Sequence, residues 1–251
     1  MAEKIFGRPK YLINTTMHYC PGCGHSIIHR LLAEVFEELN IGEKTICVPP
    51  AGCAVLAYNY LAVDMGEAPH GRAAAVATGI KRAQPDKIVF TYQGDGDIAA
   101  IGTAESIHAA NRGENITIIF VNNGVYGMTG GQMAPTTLIG QNSTTTPGGR
   151  DSSRDGSPID LSEMMGTTKG AVYIERTAVD TPQNIKHTKK AILKAFKIQM
   201  ENRGFSMVEI LSQCSTNWKM TPIEAKDRIQ KVMTKIFPLK VIKDEITDIA
   251  L

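Results

Sequence analysis

Two nearly unbroken apolar runs constrain this chain more than any other feature: Lys87-Ile88-Val89-Phe90-Thr91-Tyr92 and Ile116-Thr117-Ile118-Ile119-Phe120-Val121. Runs of this kind belong to parallel strands covered on both faces, because a solvated face would alternate with polar residues. The segment between them has helical composition. A right-handed β-α-β crossover then brings the carboxyl ends of both strands to one sheet edge, where doubly wound folds bind ligands. The first strand runs into Gly94-Asp95-Gly96-Asp97 and the second into Asn122-Asn123-Gly124-Val125-Tyr126-Gly127, with Asp95 and Asn123 separated by 28 positions. A carboxylate and a carboxamide are thus predicted to face one another.

That pairing suits magnesium held on a diphosphate. The ion prefers an octahedron of oxygens and takes one or two from side chains while phosphates and water fill the rest. One Asp, one Asn and a loop carbonyl suffice. Gly94 and Gly96 let the backbone turn tightly and approach phosphates without a Cβ. A helix beginning near residues 98–102 can point its free N–H groups at the anion. In isolation Gly-Asp-Gly reads as an ordinary strand-ending turn; Asn123 at this separation, between two buried strands, favours the cofactor site.

With 251 residues and 43% hydrophobic content, the chain can bury one substantial core. The expectation is a single α/β domain over 1–251, a mostly parallel sheet flanked by helices. Apolar spacing predicts helices over 26–39, 71–83 and 181–202, and strands over 46–48, 171–176 and 206–211. Residues 127–158, rich in Gly, Thr, Ser, Gln and Pro, are too long for a plain connector and are expected to form a functional loop over the cofactor; for 142–157 a surface loop without order is the alternative. Residues 221–237 read as a basic amphipathic helix, a solvated face or a surface for an acidic ferredoxin or partner subunit. Net charge is +2, with neither a nucleic-acid stripe nor a run long enough to cross a bilayer, and a cytoplasmic location is expected.

Of five cysteines, Cys47 lies within an apolar strand pattern and reads as a core residue. Cys20-Pro21-Gly22-Cys23 is different, since the Pro-Gly bend presents both sulfurs to one side. Cys53, in Ala51-Gly52-Cys53-Ala54, and Cys214, after the apolar run 208–211, are individually ambiguous. A disulfide framework is not expected, as nothing resembles a secretory signal. A zinc site more often uses two C-x-x-C knuckles, and iron–sulfur clusters also take four cysteines. From the residues alone both readings stand.

The sequence from Gly94-Asp95-Gly96 to Asn122-Asn123 resembles the diphosphate motif of thiamine diphosphate enzymes. Adding Tyr126-Gly127-Met128-Thr129-Gly130-Gly131-Gln132, Cys20-Pro21-Gly22-Cys23-Gly24-His25, Gly52-Cys53 and His70-Gly71-Arg72, the chain resembles the small β subunit of 2-oxoacid:ferredoxin oxidoreductases over roughly residues 19–218. The resemblance implies that Asp95 and Asn123 bind Mg2+ through side chains and Val125 through its carbonyl. It places Gly96, Asp97 and Ile98 against the diphosphate, and Gly52, Cys53, Ala54, His70, Gly94 and Gly127 around the cofactor. Met128 and Thr129 border the thiazolium and substrate. His70 touches the diphosphate or supports an acid–base step, and Arg72 makes structural hydrogen bonds. Cys20, Cys23, Cys53 and Cys214 are assigned to one [4Fe-4S] cluster near 20–23, 53 and 214.

The implied activity is coenzyme A-dependent oxidative decarboxylation of a 2-oxoacid, with electrons leaving through the cluster to ferredoxin. Thiamine enzymes also need a glutamate against the aminopyrimidine, and no Glu here, Glu105 included, has a context for it. The resemblance places that glutamate on an α subunit, with γ and ferredoxin-like subunits alongside. Residues 54–60 offer no Lys or Arg for a second carboxylate. That favours an apolar 2-oxoacid such as 2-oxoisovalerate over 2-oxoglutarate, with pyruvate as a further alternative. The rivals are a non-redox thiamine decarboxylase subunit and, from another class, a noncatalytic zinc-stabilised binding module.

Overall fold

Both apolar runs form strands at the centre of one sheet. In the computed structural model, which describes residues 7–249, α1 (His25–Glu38) leads into β1 (Thr45–Val48) and the two-residue edge strand β2 (Asp64–Met65). The alanine-rich α2 (Ala73–Ala83) precedes β3 (Ile88–Gly94), α3 (Thr103–Asn111) and β4 (Thr117–Asn122). After a long loop come α4 (Ser152–Asp155), α5 (Leu161–Gly166), β5 (Ala171–Ala178), α6 (Pro182–Met200) and β6 (Phe205–Leu211). The chain ends through α7 (Ser215–Trp218), α8 (Pro222–Arg228), α9 (Thr234–Ile236) and β7 (Lys240–Asp244).

The strand order is β2-β1-β3-β4-β6-β5-β7, parallel throughout except that β7 runs antiparallel to β5. β3 and β4 are neighbours, with Gly94 opposite Val121, so their carboxyl ends share one edge. Successive strand residues serve opposite faces. Phe90, Tyr92, Ile119 and Val121 pack with α1 and α6, while Val89, Ile118 and Phe120 pack with α2, α3 and α5. Ala73, Ala74 and Ala77 are buried, so α2 lies close on the sheet because no bulky side chain holds it off.

Three features depart from the sequence expectation. The helix expected at 98–102 opens with a π-helical turn, Asp97–Ile101, and α3 begins only at Thr103. The tail is helical over 222–236, yet it winds wider across Ile229–Met233, burying Ile229 and Met233 against Leu138, Leu211 and Phe237. β7 left no signal because its residues, Lys240-Val241-Ile242-Lys243-Asp244, are charged and half exposed, as suits an edge strand. The loop after β4 is held in place by Arg150, 5% exposed, which donates to the carbonyls of Pro135 (2.8 Å), Thr137 (2.6 Å), Gly156 (2.8 Å) and Ser157 (2.8 Å). A guanidinium has five N–H donors, and satisfying four carbonyls at once fixes the path of 142–157. The alternative of an orderless surface loop therefore does not hold.

Candidate functional site

At the shared edge of β1, β3 and β4 lies an open cleft of about 230 Å³. It is lined by Gly52, Cys53 and Ala54 after β1, His70 before α2, Gly94 to Asp97 after β3, and Asn123 with Val125 to Thr129 after β4. Every expected cofactor residue except Ile98 lines it. Ile98 is fully buried beneath the π-helical turn, its side chain in the core with Ala99 and Phe120. Gly52 and Gly94 border open space where a Cβ would stand, so side chains there would fill the cleft. Gly96 is required for a different reason, because a Cβ would run into the Tyr126 ring.

Asp95 is 2% exposed. Its Oδ1 accepts from Gly96 N at 2.8 Å and its Oδ2 from the Thr136 hydroxyl at 2.7 Å, while the amides of Asn123 and Gly124 face the same carboxylate. Desolvation outweighs these donors and lifts the carboxyl to about 6. Asn123 Oδ1 accepts only the Val125 amide, at a long 3.2 Å, and its backbone carbonyl is held by Trp218 Nε1 at 3.0 Å. A carboxylate, a carboxamide oxygen and a nearby carbonyl form a donor set suited to a hard dication.

Asp97 is placed differently. Its Oδ1 accepts from Gly71 N at 2.5 Å and its Oδ2 from Gln93 Nε2 at 2.7 Å, and Gln93 in turn accepts from Thr91 Oγ1 at 2.6 Å. His70 Nδ1 stands 2.7 Å from Asp97 Oδ1, an ion-pair distance, although its angle is poor for a hydrogen bond. The Asp97 carboxylate therefore faces His70 and the start of α2 rather than the open cleft. Its contribution to an anion would be through the backbone. Arg72 pairs with Glu105 Oε1 at 2.7 Å and reaches the Ile101 carbonyl at 3.3 Å, a structural role that also occupies Glu105. Among the described residues no glutamate, lysine or arginine lines the cleft.

Four of the five cysteines gather beside the cleft, all of them free. Cys23 N donates to Cys20 O at 3.0 Å, closing the knuckle, and the knuckle seats Gly22 (φ 79°) against Pro222 at the start of α8. Asn217 bridges the Cys214 sulfur (3.2 Å) to the Gly127 carbonyl (2.9 Å), and the Cys53 sulfur lies beside Gly127. Burial, reinforced by the neighbouring thiols Cys20, Cys53 and Cys214, pushes Cys23 up to about 12; burial likewise lifts Cys53 to about 11 and raises Cys214. No three His, Cys, Asp or Glu among the described residues converge at the spacing of a single metal ion. A four-iron cube carries its thiolates at its corners, farther apart than a single tetrahedral ion does. Cys47 is fully buried in β1, away from this group, as expected.

The structure also brings in residues to which the sequence reading gave no role. His25, Ala51 and Tyr126 line the cleft, Thr136 holds Asp95, and Asn217 and Trp218 join the last cysteine to the Asn123 turn. Trp218, the sole tryptophan, was the one available hint.

Residues 51–210 match the family described as thiamine pyrophosphate enzyme, C-terminal TPP binding domain. The 2-oxoglutarate synthase subunit KorB of Methanocaldococcus jannaschii is 39% identical over 90% of this chain and 80% of that protein. The chain belongs to the 2-oxoacid:ferredoxin oxidoreductase family. Within that family, the ketoisovalerate oxidoreductase subunit VorA of Methanothermobacter marburgensis is 45% identical over 96% of this chain, and the chain spans 51% of that protein's length. The chain thus spans about half the length of the VorA relatives it matches. The 2-oxoglutarate:ferredoxin oxidoreductase of Magnetococcus marinus, solved with 2-oxoglutarate, coenzyme A and succinyl-CoA bound, superposes with a TM-score of 0.76 at 31% identity, covering 91% of this chain and 74% of that one. The matched thiamine pyrophosphate domain contains Asp95, Asn123 and the cleft loops, while Cys20, Cys23 and Cys214 lie outside its bounds. Among the described residues no helix is long and apolar enough to cross a membrane.

Proposed function

We propose that this chain is the cofactor-binding β subunit of a 2-oxoacid:ferredoxin oxidoreductase that converts 2-oxoisovalerate and coenzyme A to an acyl-CoA and carbon dioxide, sending electrons through a [4Fe-4S] cluster to ferredoxin in the cytoplasm. The observation that carries the reading is the meeting of Asp95 and Asn123 in a cleft beside four free cysteines. In this reading Asp95, Asn123 and the Val125 carbonyl hold Mg2+, and the backbone from Gly94 to Ile98 cradles the diphosphate. Cys20, Cys23, Cys53 and Cys214 hold the cluster. When bound, thiamine diphosphate supplies the electron sink that lets a 2-oxoacid lose carbon dioxide.

The chain's own residues position and shield that chemistry. Asp97 turns His70 so that Nε2 is the nitrogen available to the cleft. Met128 and Thr129 border the substrate at its mouth. Burial keeps the Cys23 and Cys53 thiols uncharged at neutral pH without a metal, and binding one would release their protons. The missing glutamate comes from an α subunit, with γ and ferredoxin-like subunits completing the complex, so the isolated chain turns over nothing.

Two observations favour a branched apolar substrate: identity is higher to the VorA subunits than to the KorB subunits, and among the described residues no lysine or arginine lines the cleft. A lysine or arginine on the partner is the route to 2-oxoglutarate. Measuring kcat/KM for both acids in the reconstituted complex decides between them, and a strong preference for 2-oxoglutarate refutes the substrate assignment.

A further inference from the structure

His25 directly follows the cysteine knuckle and lines the cleft with a ring only 3% exposed. Its Nδ1 lies 2.5 Å from the Tyr92 hydroxyl. Tyr19 stacks nearly flat on the ring, 4.8 Å between centroids and 14° between planes, so the imidazole is held from two sides. Tyr92 is fully buried and His25 is its hydroxyl's partner. A buried phenol needs an acceptor for its proton, so Tyr92 donates to Nδ1 and the neutral ring carries its hydrogen on Nε2. A protonated ring carries a hydrogen there as well. In either charge state Nε2 is a donor, and among the described residues no protein acceptor meets it.

We propose that the Nε2–H of His25 donates a hydrogen bond to the carboxylate of the bound 2-oxoacid, with Tyr92 and Tyr19 as the residues that position it. The inference rests on the proposed function and deepens it. Among the described residues no lysine or arginine lines the cleft, so the donors that this chain itself offers a substrate carboxylate are uncharged. Such a donor also suits the reaction. Tight ion pairing would stabilise the carboxylate in the ground state more than in the transition state, where its charge is leaving as carbon dioxide is formed. A single oriented N–H fixes the group without that penalty.

The test compares wild type, His25→Gln, His25→Leu and Tyr92→Phe in the complex reconstituted with its partner subunits. Thiamine diphosphate affinity and iron content are measured first. The dissociation constant of 2-oxoisovalerate then follows by calorimetry on complex loaded with an inert analogue that lacks the acidic C2 proton, and finally kcat and KM are determined. His25→Leu is expected to weaken 2-oxoacid binding about tenfold or more, and His25→Gln, which keeps an amide N–H near the Nε2 position, recovers most of it. Tyr92→Phe raises KM more than it lowers kcat. Cofactor affinity and iron stay at wild-type levels throughout. If His25→Leu does not fold, the Gln and Phe variants carry the same comparison. Unchanged 2-oxoacid affinity in the variants that fold, or a loss confined to cofactor or iron, overturns the proposal. A wild-type complex that binds no thiamine diphosphate overturns the proposed function itself, and the role of His25 with it.

Discussion

Thr136 donates its hydroxyl hydrogen to Asp95 Oδ2 at 2.7 Å, tying the loop after β4 to the carboxylate at the end of β3. Loop order and carboxylate orientation are thereby one property. Thr136→Val keeps the shape and removes the donor, and it is expected to lower magnesium–thiamine diphosphate affinity about tenfold, since a hydrogen bond to a charged group contributes about 1.5–3 kcal/mol. Equilibrium dialysis of the cofactor measures it, with an unchanged circular dichroism spectrum as the control.

The pH dependence of the metal-free chain follows from the same carboxyl. Burial raises Asp95 to about 6 from an ordinary 3.8. A carboxyl with a raised folded-state value favours folding while protonated; its contribution is complete below 3.8 and is lost as pH rises through about 6. This group should therefore cost the metal-free chain on the order of 2–3 kcal/mol between about pH 4 and about pH 7. Magnesium with thiamine diphosphate should bind the ionised form and restore stability at neutral pH. Urea midpoints across that window should flatten in Asp95→Asn relative to wild type.

Iron content separates the cysteines. Cys20→Ser, Cys23→Ser, Cys53→Ser and Cys214→Ser should each lose most iron and acid-labile sulfide on anaerobic purification, as each removes a corner ligand. Cys47→Ala should keep both and show only a core cost of about 1–2 kcal/mol. Zinc in place of iron in the wild type would refute the cluster.

A buried ion network stands directly behind the Asn123 turn. Arg176, fully buried, donates from Nε to Glu209 Oε2 at 2.7 Å and also pairs with Asp160, while Asn122 Nδ2 donates to Glu209 Oε1 at 2.8 Å. Arg176→Leu strands the Glu209 carboxylate in the core and should destabilise the chain by about 3–5 kcal/mol. Adding Glu209→Gln should recover part of that loss in urea denaturation, because the uncompensated charge is the main cost.

How much was legible beforehand depended on how local the signal was. β3 and β4 were readable from apolar runs, and α1, α2 and α6 from spacing, with boundaries shifted by a residue or two. Asp95 and Asp97, two positions apart, look alike in sequence. Only the packing of Gln93 and Gly71 around Asp97 distinguishes them. Thr136 and Asn217 were not singled out, and His25 entered only within the cysteine motif without a role, since each acts through a partner far along the chain; His25 and Tyr92 are 67 positions apart.

The sequence by itself determined the sheet's central strands, the sites where their ends turn polar, and the residues that could meet there, because strand burial and glycine turns are properties of a few consecutive residues. The tertiary structure alone decided which donors satisfy which buried acceptors. It gave Asp95 to Thr136 and Asp97 to Gln93 and Gly71, drew Cys214 toward the knuckle at 20–23, and left the His25 Nε2 without a protein acceptor among the described residues. Hydrogen-bond satisfaction is settled only after packing, when every buried polar group competes for the neighbours that the fold provides.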